Sequence, residues 1–245
     1  MNAASMPARA LDAGTAKAIA RAFLPSRYHY HYARAKLGSD PLYPGVIDAL
    51  RGTGVPLLDL GCGIGLLAHY LDACGNRVAY RGLDNDGAKI AQARLVAGRA
   101  GLGHVHFEVA DLAFDSSSGA ASPRLAHQGS VAILDVLQFL PPSAQEPLLR
   151  AAAACVAPGG RLVIRTGLAG HGARPRITRA VDWLSRVLRW MNTGPKAYPE
   201  RAALASLLAD RGLRSTFTPL WGGTPFNNWL LVAEHSSGGS GTTQR

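Results

Sequence analysis

The stretch Leu57-Leu-Asp-Leu-Gly-Cys-Gly-Ile-Gly65 decides how this chain reads. Apolar residues lead to an acid, Asp59, and glycines then alternate at Gly61, Gly63 and Gly65. Upstream, Val55 to Leu60 reads as a short strand. Downstream, Leu66 to Ala73 reads as a helix with Leu66, Leu67, Tyr70 and Leu71 on one side. Glycines suit such a turn because its dihedrals exclude side chains and because a ligand can then approach the amides at a helix N-terminus. Dinucleotide-binding folds use a related turn, G-x-G-x-x-G. Here the last glycine comes one residue early.

Working outward, strand and helix patterns alternate. Val78 to Asp84 is a second strand, and Asp86 to Ala100 a helix stopped by Gly101 and Gly103. Val105 to Val109 alternates apolar and polar. Residues 115 to 129 are a Ser/Gly/Pro loop. Val131 to Leu137 is a continuous apolar run, as expected of a strand buried on both faces. Ser143 is placed to cap a helix running to about Val156, and Pro158-Gly159-Gly160 turns the chain into the strand Arg161 to Thr166. Pro199 and Glu200 open a helix that stops at Gly212. Two strands follow, Ser215 to Leu220 and Trp229 to Glu234. The pattern predicts an α/β fold, a mostly parallel sheet with one antiparallel strand and helices on both faces.

Two further acids stand at strand ends, where ligands bind in such sheets. Asp84 lies 19 residues past Gly65 (84 − 65) and can accept hydrogen bonds from both ribose hydroxyls of an adenosine. Asp86 suits a helix N-cap. Asp111 follows the third strand and can accept from an adenine amino group.

These residues resemble the class I S-adenosylmethionine-dependent methyltransferase family. Leu57 to Gly65 resembles its first motif, Gly82-Leu-Asp-Asn-Asp86 its second, and Ala110-Asp111-Leu112 its third. Val131 to Pro141 looks like its fourth, and Leu149 to Thr166 its fifth. The resemblance covers residues 53 to 235. It implies a Rossmann-like sheet of seven strands, the last antiparallel and inserted beside strand five. It implies S-adenosyl-L-methionine as cofactor. Asp59 and the turn Gly61, Cys62, Gly63 and Gly65 would face its methionine part. Asp84 would meet the ribose and Asp111 the adenine, with Asn85 and Leu112 as further cofactor-binding residues, and Asp135 would set strand four beside the sulfonium.

The substrate side has no comparable signature. Methyl transfer from a sulfonium depends largely on holding donor and acceptor in line, with a base where the acceptor is a hydroxyl or an unactivated carbon. Tyr28-His-Tyr-His-Tyr-Ala-Arg34 reads either as an amphipathic cover strip or as a lid. In the lid reading His29 or His31 is the base and Arg34 lies near the methionine carboxylate. Residues 1–52 are then an N-terminal helical cover and 53–235 the catalytic domain. Within that domain, 167–198 form a helical insertion whose stripe runs from Ile177 to Met191 beside five arginines. That insertion reads as a helix docked on the sheet edge, a substrate lid, or a basic surface for a membrane or an acyl carrier protein. His171 is a further base candidate, and the Trp221 to Trp229 loop a pocket cover. Residues 236–245 read as a disordered tail.

Composition narrows the partners. The net charge is +10 but scattered, so nucleic acid is an unlikely partner and a small molecule the expected one. Three cysteines, Cys62, Cys74 and Cys155, show no zinc spacing, so no metal is expected and a reducing cytoplasm is the default. No run reaches the ~18 apolar residues of a membrane span. Tyr30 to Gly45 and the closing Phe226-Asn-Asn-Trp-Leu-Leu-Val-Ala are also similar to small bacterial methyltransferases of aryl-polyene or xanthomonadin-type pigment synthesis. That resemblance implies an aromatic head group, on an acyl carrier protein, as acceptor. Two rivals remain. One is an RNA or protein methyltransferase, supported by charge alone. The other is a non-catalytic cofactor-binding module.

Overall fold

The computed structural model describes residues 11–112, 125–169, 196–221 and 228–236. The C-terminal 8 residues of the chain just before the tail, Asn228–His235, form the strand β7 that decides the topology. It pairs antiparallel with both β5 (Leu162–Gly167) and β6 (Leu213–Pro219), and so lies between them. The other strands are β1 (Leu57–Leu60), β2 (Tyr80–Asp84), β3 (Val105–Val109) and β4 (Ser130–Leu134). They are mutually parallel, and the sheet order is β3-β2-β1-β4-β5-β7-β6. This is the seven-stranded, mostly parallel sheet expected, with the last strand beside strand five.

Helices cover both faces. On one side lie α1 (Ala13–Ala22), α2 (Arg27–Ser39), α3 (Leu42–Ala49), α4 (Leu66–Ala73) and α5 (Gly87–Arg99), whose apolar residues share a cluster with Leu57 and Val163. On the other lie α6 (Pro142–Ala154) and α7 (Arg201–Ala209), clustered with Leu58, Leu60, Ile133, Leu162 and Ile164. Side chains alternate across a strand. Arg165 therefore shares Val163's face, and Asp59 shares Leu57's, so both point toward the α1–α5 layer.

Several boundaries shift for local reasons. The helix expected to be capped by Ser143 starts at Pro142 with Pro141 at the N-cap position, because proline at the first turn loses no needed hydrogen bond. The expected strand Val131 to Leu137 ends at Leu134. Asp135 takes a left-handed φ of 59°, and Leu137–Phe139 form a 3-10 turn. The Tyr/His strip is helical, within α2, with Ser26 accepting from the His29 amide as N-cap. Asp86 caps α5 through the amides of Ala88 and Lys89, as its position suggests. The stripe Ile177 to Met191 and the tail from 237 lie outside the described residues.

Candidate cofactor and active site

The glycine turn leaves β1 at Leu60 and enters α4 at Leu66. Gly61, Gly63 and Gly65 have φ of 86°, 55° and 78°, all left-handed. A Cβ on Gly61 would come within 2.2 Å of Val136 Cγ2, and one on Gly65 within 2.5 Å of the Phe107 ring. At Gly63 it would meet nothing within 4 Å. The turn is thus packed from below at both ends and open at its middle.

Its amides are used differently from the sequence expectation. Gly61 and Cys62 both donate to the Leu83 carbonyl, at 2.7 and 3.0 Å. Gly63 donates to Asp84 Oδ2 at 2.9 Å, and Gly65 to the Cys62 carbonyl at 3.0 Å. The amides of Gly61, Cys62 and Gly63 hold the turn against β2 and that of Gly65 closes the turn on itself, rather than standing open to a ligand. Glycine is required here by dihedrals and close packing.

Asp84 links this turn to the next helix. Its Oδ1 accepts from the Asp86 amide at 3.0 Å, and the residue is buried. An ionised carboxylate has about four acceptor sites, so two backbone amides leave capacity for ribose hydroxyls. Asn85 beside it is exposed. At the end of β3, Asp111 is exposed and Leu112 is buried in the α6 side of the core.

Asp59 lies beneath the turn. The Tyr80 hydroxyl donates to its Oδ2 at 2.5 Å, while Oδ1 is buried with no hydrogen-bond partner. Burial pushes its carboxyl up to about 7, against the opposing Tyr80 hydrogen bond and with a contribution from Asp84. Cys62 also turns inward: its Sγ would lie 2.8 Å from a Cβ on Gly82. Its thiol is raised by burial, with Asp59 and Asp84 adding to the effect, so it is inert.

Helix α2 crosses the crevice. His29 near its start is half-buried, shares a hydrogen bond between Nδ1 and Ser26 Oγ at 3.0 Å, and feels the charges of Asp86 and Lys89 at the start of α5. Burial lowers its pKa, Asp86 opposing and Lys89 reinforcing the shift. Lys36, seven residues on, contacts Asp135 at the end of β4. Seven helical residues rise about 10.5 Å. In the order β2-β1-β4 the outer two strands stand two spacings apart, about 9.6 Å. The match is consistent with α2 running from the exit of β2 to the exit of β4, the two strands that flank β1.

At 100° per residue, Tyr28, Tyr32 and Lys36 form one stripe. Arg34 lies about 200° round the helix from Tyr32 and is exposed, and His31 is exposed on a third side. Of the expected residues on this helix, only His29 lies near the stripe that contacts the crevice. His171 lies outside the described residues.

Sequence reasoning missed the partners of Asp135. Arg165, Asp40 and Lys36 all converge on it or on one another. It also missed Gln145, whose Nε2 donates to the carbonyls of Leu137, Leu140 and Ala197 at 3.0 to 3.1 Å. Together with Lys196 donating from its amide to the Gln138 carbonyl at 2.7 Å, this ties the segment from Lys196 to the turn after β4. The Ala169 amide donates to the Pro199 carbonyl at 3.0 Å, joining the exit of β5 to the same segment. Trp229, at the end of the loop expected to cover the pocket, packs on the α7 side with the Arg201 guanidinium 5.6 Å from its ring centre, while residues 222–227 of that loop lie outside the described residues.

Residues 57–160, less than half of the 245, match a family described as Methyltransferase domain. No curated protein matches the chain. Among solved structures, an O-methyltransferase family protein from Burkholderia thailandensis aligns with TM-score 0.58 and 21% identity over 87% of this chain and 63% of its own. Magnesium protoporphyrin IX methyltransferase from Synechocystis PCC 6803, solved with bound S-adenosylhomocysteine, aligns with TM-score 0.56 and 17% identity, over 78% and 80%. An O-methyltransferase from neocarzinostatin biosynthesis, solved with S-adenosylhomocysteine and 1,4-dihydroxy-2-naphthoic acid, aligns with TM-score 0.54 and 19% identity, over 92% and 60%. The chain thus spans less than two thirds of the first and last of these proteins. At these identities the likeness is one of fold.

Proposed function

We propose that this chain, which carries the class I S-adenosylmethionine-dependent methyltransferase fold, transfers a methyl group from S-adenosylmethionine to a small-molecule acceptor. The observation that carries the reading is the alignment of a glycine turn, Asp84 and Asp111 at three successive strand ends, roofed by α2. The open face at Gly63, the spare acceptor capacity of Asp84 and the unpartnered Asp59 Oδ1 fit an adenosyl cofactor with an ammonium group.

In this reading Asp84 and Asn85 hold the ribose, Asp111 and Leu112 the adenine edge, and the Gly61–Gly65 turn with Asp59 and Asp135 the methionine end. The cofactor, when bound, supplies an electrophilic methyl group on a sulfonium. The chain's own part is orientation and exclusion of water, which can account for much of the rate. His29, held neutral by burial, is the α2 group able to take a proton from a hydroxyl acceptor.

The finer reading is an aromatic acceptor, supported by the tyrosine stripe of α2 and by the naphthoic acid in the neocarzinostatin neighbour. An aryl or polyene chain on a carrier protein, acting in the cytoplasm, is its narrowest form; the resemblance of Tyr30 to Gly45 is what supports it. No described helix is long and apolar enough to cross a membrane. Calorimetry with S-adenosylmethionine, followed by turnover of the labelled cofactor with aryl acids and phenols read by mass, tests the proposal. Binding in the micromolar range and a product heavier by one methyl group are expected. No binding would overturn it.

A further inference from the structure

Four charged side chains from three segments close a ring at the carboxyl end of β4. Lys36 Nζ lies 3.0 Å from Asp40 Oδ2 and 3.0 Å from Asp135 Oδ2. Arg165 Nε lies 3.0 Å from Asp135 Oδ1, an ion-pair distance without hydrogen-bond geometry, and its Nη1 donates to Asp40 Oδ1. Each carboxylate therefore bridges the same two cations. The ring carries two positive and two negative charges; its Arg165 and Asp40 side chains are buried, 4% and 7% exposed, while Lys36 and Asp135 keep 17% and 20% at the rim.

Such a ring is an odd choice for stability. Apolar residues of similar volume often do as well or better in a buried site, because desolvating the charges costs as much as their attraction returns. What a ring does provide is register. Removing Lys36 or Asp135 leaves the buried Asp40 or Arg165 with an uncompensated charge, which penalises any docking of α2 that breaks the ring. The placement of the ring matters here. Lys36 is on α2, Asp40 follows it, Asp135 holds its left-handed turn where the sheet meets the crevice, and Arg165 is inside β5. Tyr32, one turn before Lys36, feels all four groups.

We infer that Asp40 and Arg165 are positioning residues for the methyl-transfer end of the crevice: through Lys36 and Asp135 they hold α2 in one register across the ends of β2, β1 and β4. The inference rests on the cofactor reading for the identity of what α2 covers, and on geometry alone for the docking itself. Neither residue needs to touch cofactor or acceptor to act in this way.

The test compares Asp40→Asn and Arg165→Lys with the unaltered protein. Arg165→Lys keeps the charge but loses the fork that reaches both carboxylates. Two readouts are taken: amide hydrogen exchange across α2, and the dissociation rate of S-adenosylhomocysteine. Both variants are expected to exchange α2 amides about tenfold faster, with β1 and β4 unchanged, and to release the nucleoside about tenfold faster. The neutral double variant Asp40→Leu/Arg165→Met, which leaves a balanced Lys36–Asp135 pair, serves where a single variant fails to fold. Unchanged α2 protection overturns the inference. So does faster α2 exchange with an unchanged dissociation rate, since the ring would then be purely structural. Should the unaltered protein bind no S-adenosylhomocysteine, the cofactor reading fails separately, and α2 exchange decides the ring.

Discussion

The Tyr80 hydroxyl donates to Asp59 Oδ2 beneath the glycine turn, and the other oxygen of that carboxylate is left buried without a partner. The pair joins the middle of β1 to the start of β2 and places a titrating group under the cofactor crevice. With its carboxyl pushed up to about 7 from an ordinary 3.8, the folded protein holds a proton there that the unfolded chain has released. Stability from this group is therefore lost as pH rises from about 4 to about 7. Asp59→Asn, which keeps an acceptor for Tyr80, should match the wild type near pH 4 and melt several degrees higher at pH 8. Thermal unfolding of both proteins across this range measures the difference; one that does not change with pH would refute the assignment.

The same substitution should weaken the cofactor. If Asp59 Oδ1 meets the ammonium of S-adenosylmethionine, Asp59→Asn loses a charge-assisted contact, and affinity should fall about tenfold or more. Stability and affinity would then move in opposite directions at pH 8. Calorimetry reads the second quantity, and a gain in both would show that Asp59 serves the fold alone.

Gly61 and Gly63 separate packing from access. Gly61→Ala combines a φ of 86° with a Cβ 2.2 Å from Val136 Cγ2, so it should unfold the turn or cost several kcal/mol. Gly63→Ala has open space around it, and a left-handed alanine costs about 1–2 kcal/mol. It should leave a folded protein that binds S-adenosylhomocysteine poorly, because the methyl group occupies the open face. A Gly63→Ala protein with wild-type affinity would place the ligand elsewhere.

His69 gives the opposite pH signature to Asp59. It is buried on α4 against Phe23 at 5.7 Å, its Nε2 lacks a hydrogen-bond partner, and burial lowers its pKa to about 4, with Asp72 opposing. The unfolded chain binds a proton that the folded one refuses, so stability is lost as pH falls from about 6.5 to about 4. His69→Leu should remove this acid sensitivity of the α1–α4 contact. Melting curves at pH 5 and pH 7.5 check it: the gap between them should narrow in the variant.

The two histidines of the tyrosine strip should part company. His31 is exposed, and His31→Ala should leave turnover within about twofold. His29 is half-buried by the α5 N-terminus. If it is the base, turnover should rise with pH through a value below that of an ordinary histidine, and His29→Ala should lose that limb. A pH profile indifferent to His29 removes it as the base.

What could be read ahead of the structure is local. The order of strands and helices follows from apolar periodicity, and Asp59, Asp84 and Asp111 announce themselves by their place after short apolar runs. The turn amides could not be assigned, because whether they face a ligand or the Leu83 carbonyl depends on how β2 lies beside β1. The charge ring was hidden for a similar reason: its members are scattered from Lys36 to Arg165. One signal was present. An arginine inside Leu162-Val-Ile-Arg-Thr sits where a buried central strand tolerates charge only if paired. Such an arginine implies a carboxylate packed beside it.

The position of β7 has a consequence for how the molecule is made. Among the described residues β6 pairs with β7 and no other strand, and β7 is what covers the open side of β5. During synthesis from the N-terminus, β1 to β5 can assemble while β6 has emerged with no neighbour to join. The flank of β5, whose interior holds Arg165, stays an unprotected edge until residues 228–235 have cleared the ribosome. A ribosome stalled just before Asn228 would thus hold a chain whose sheet ends at β5, open to pairing with any other extended strand nearby.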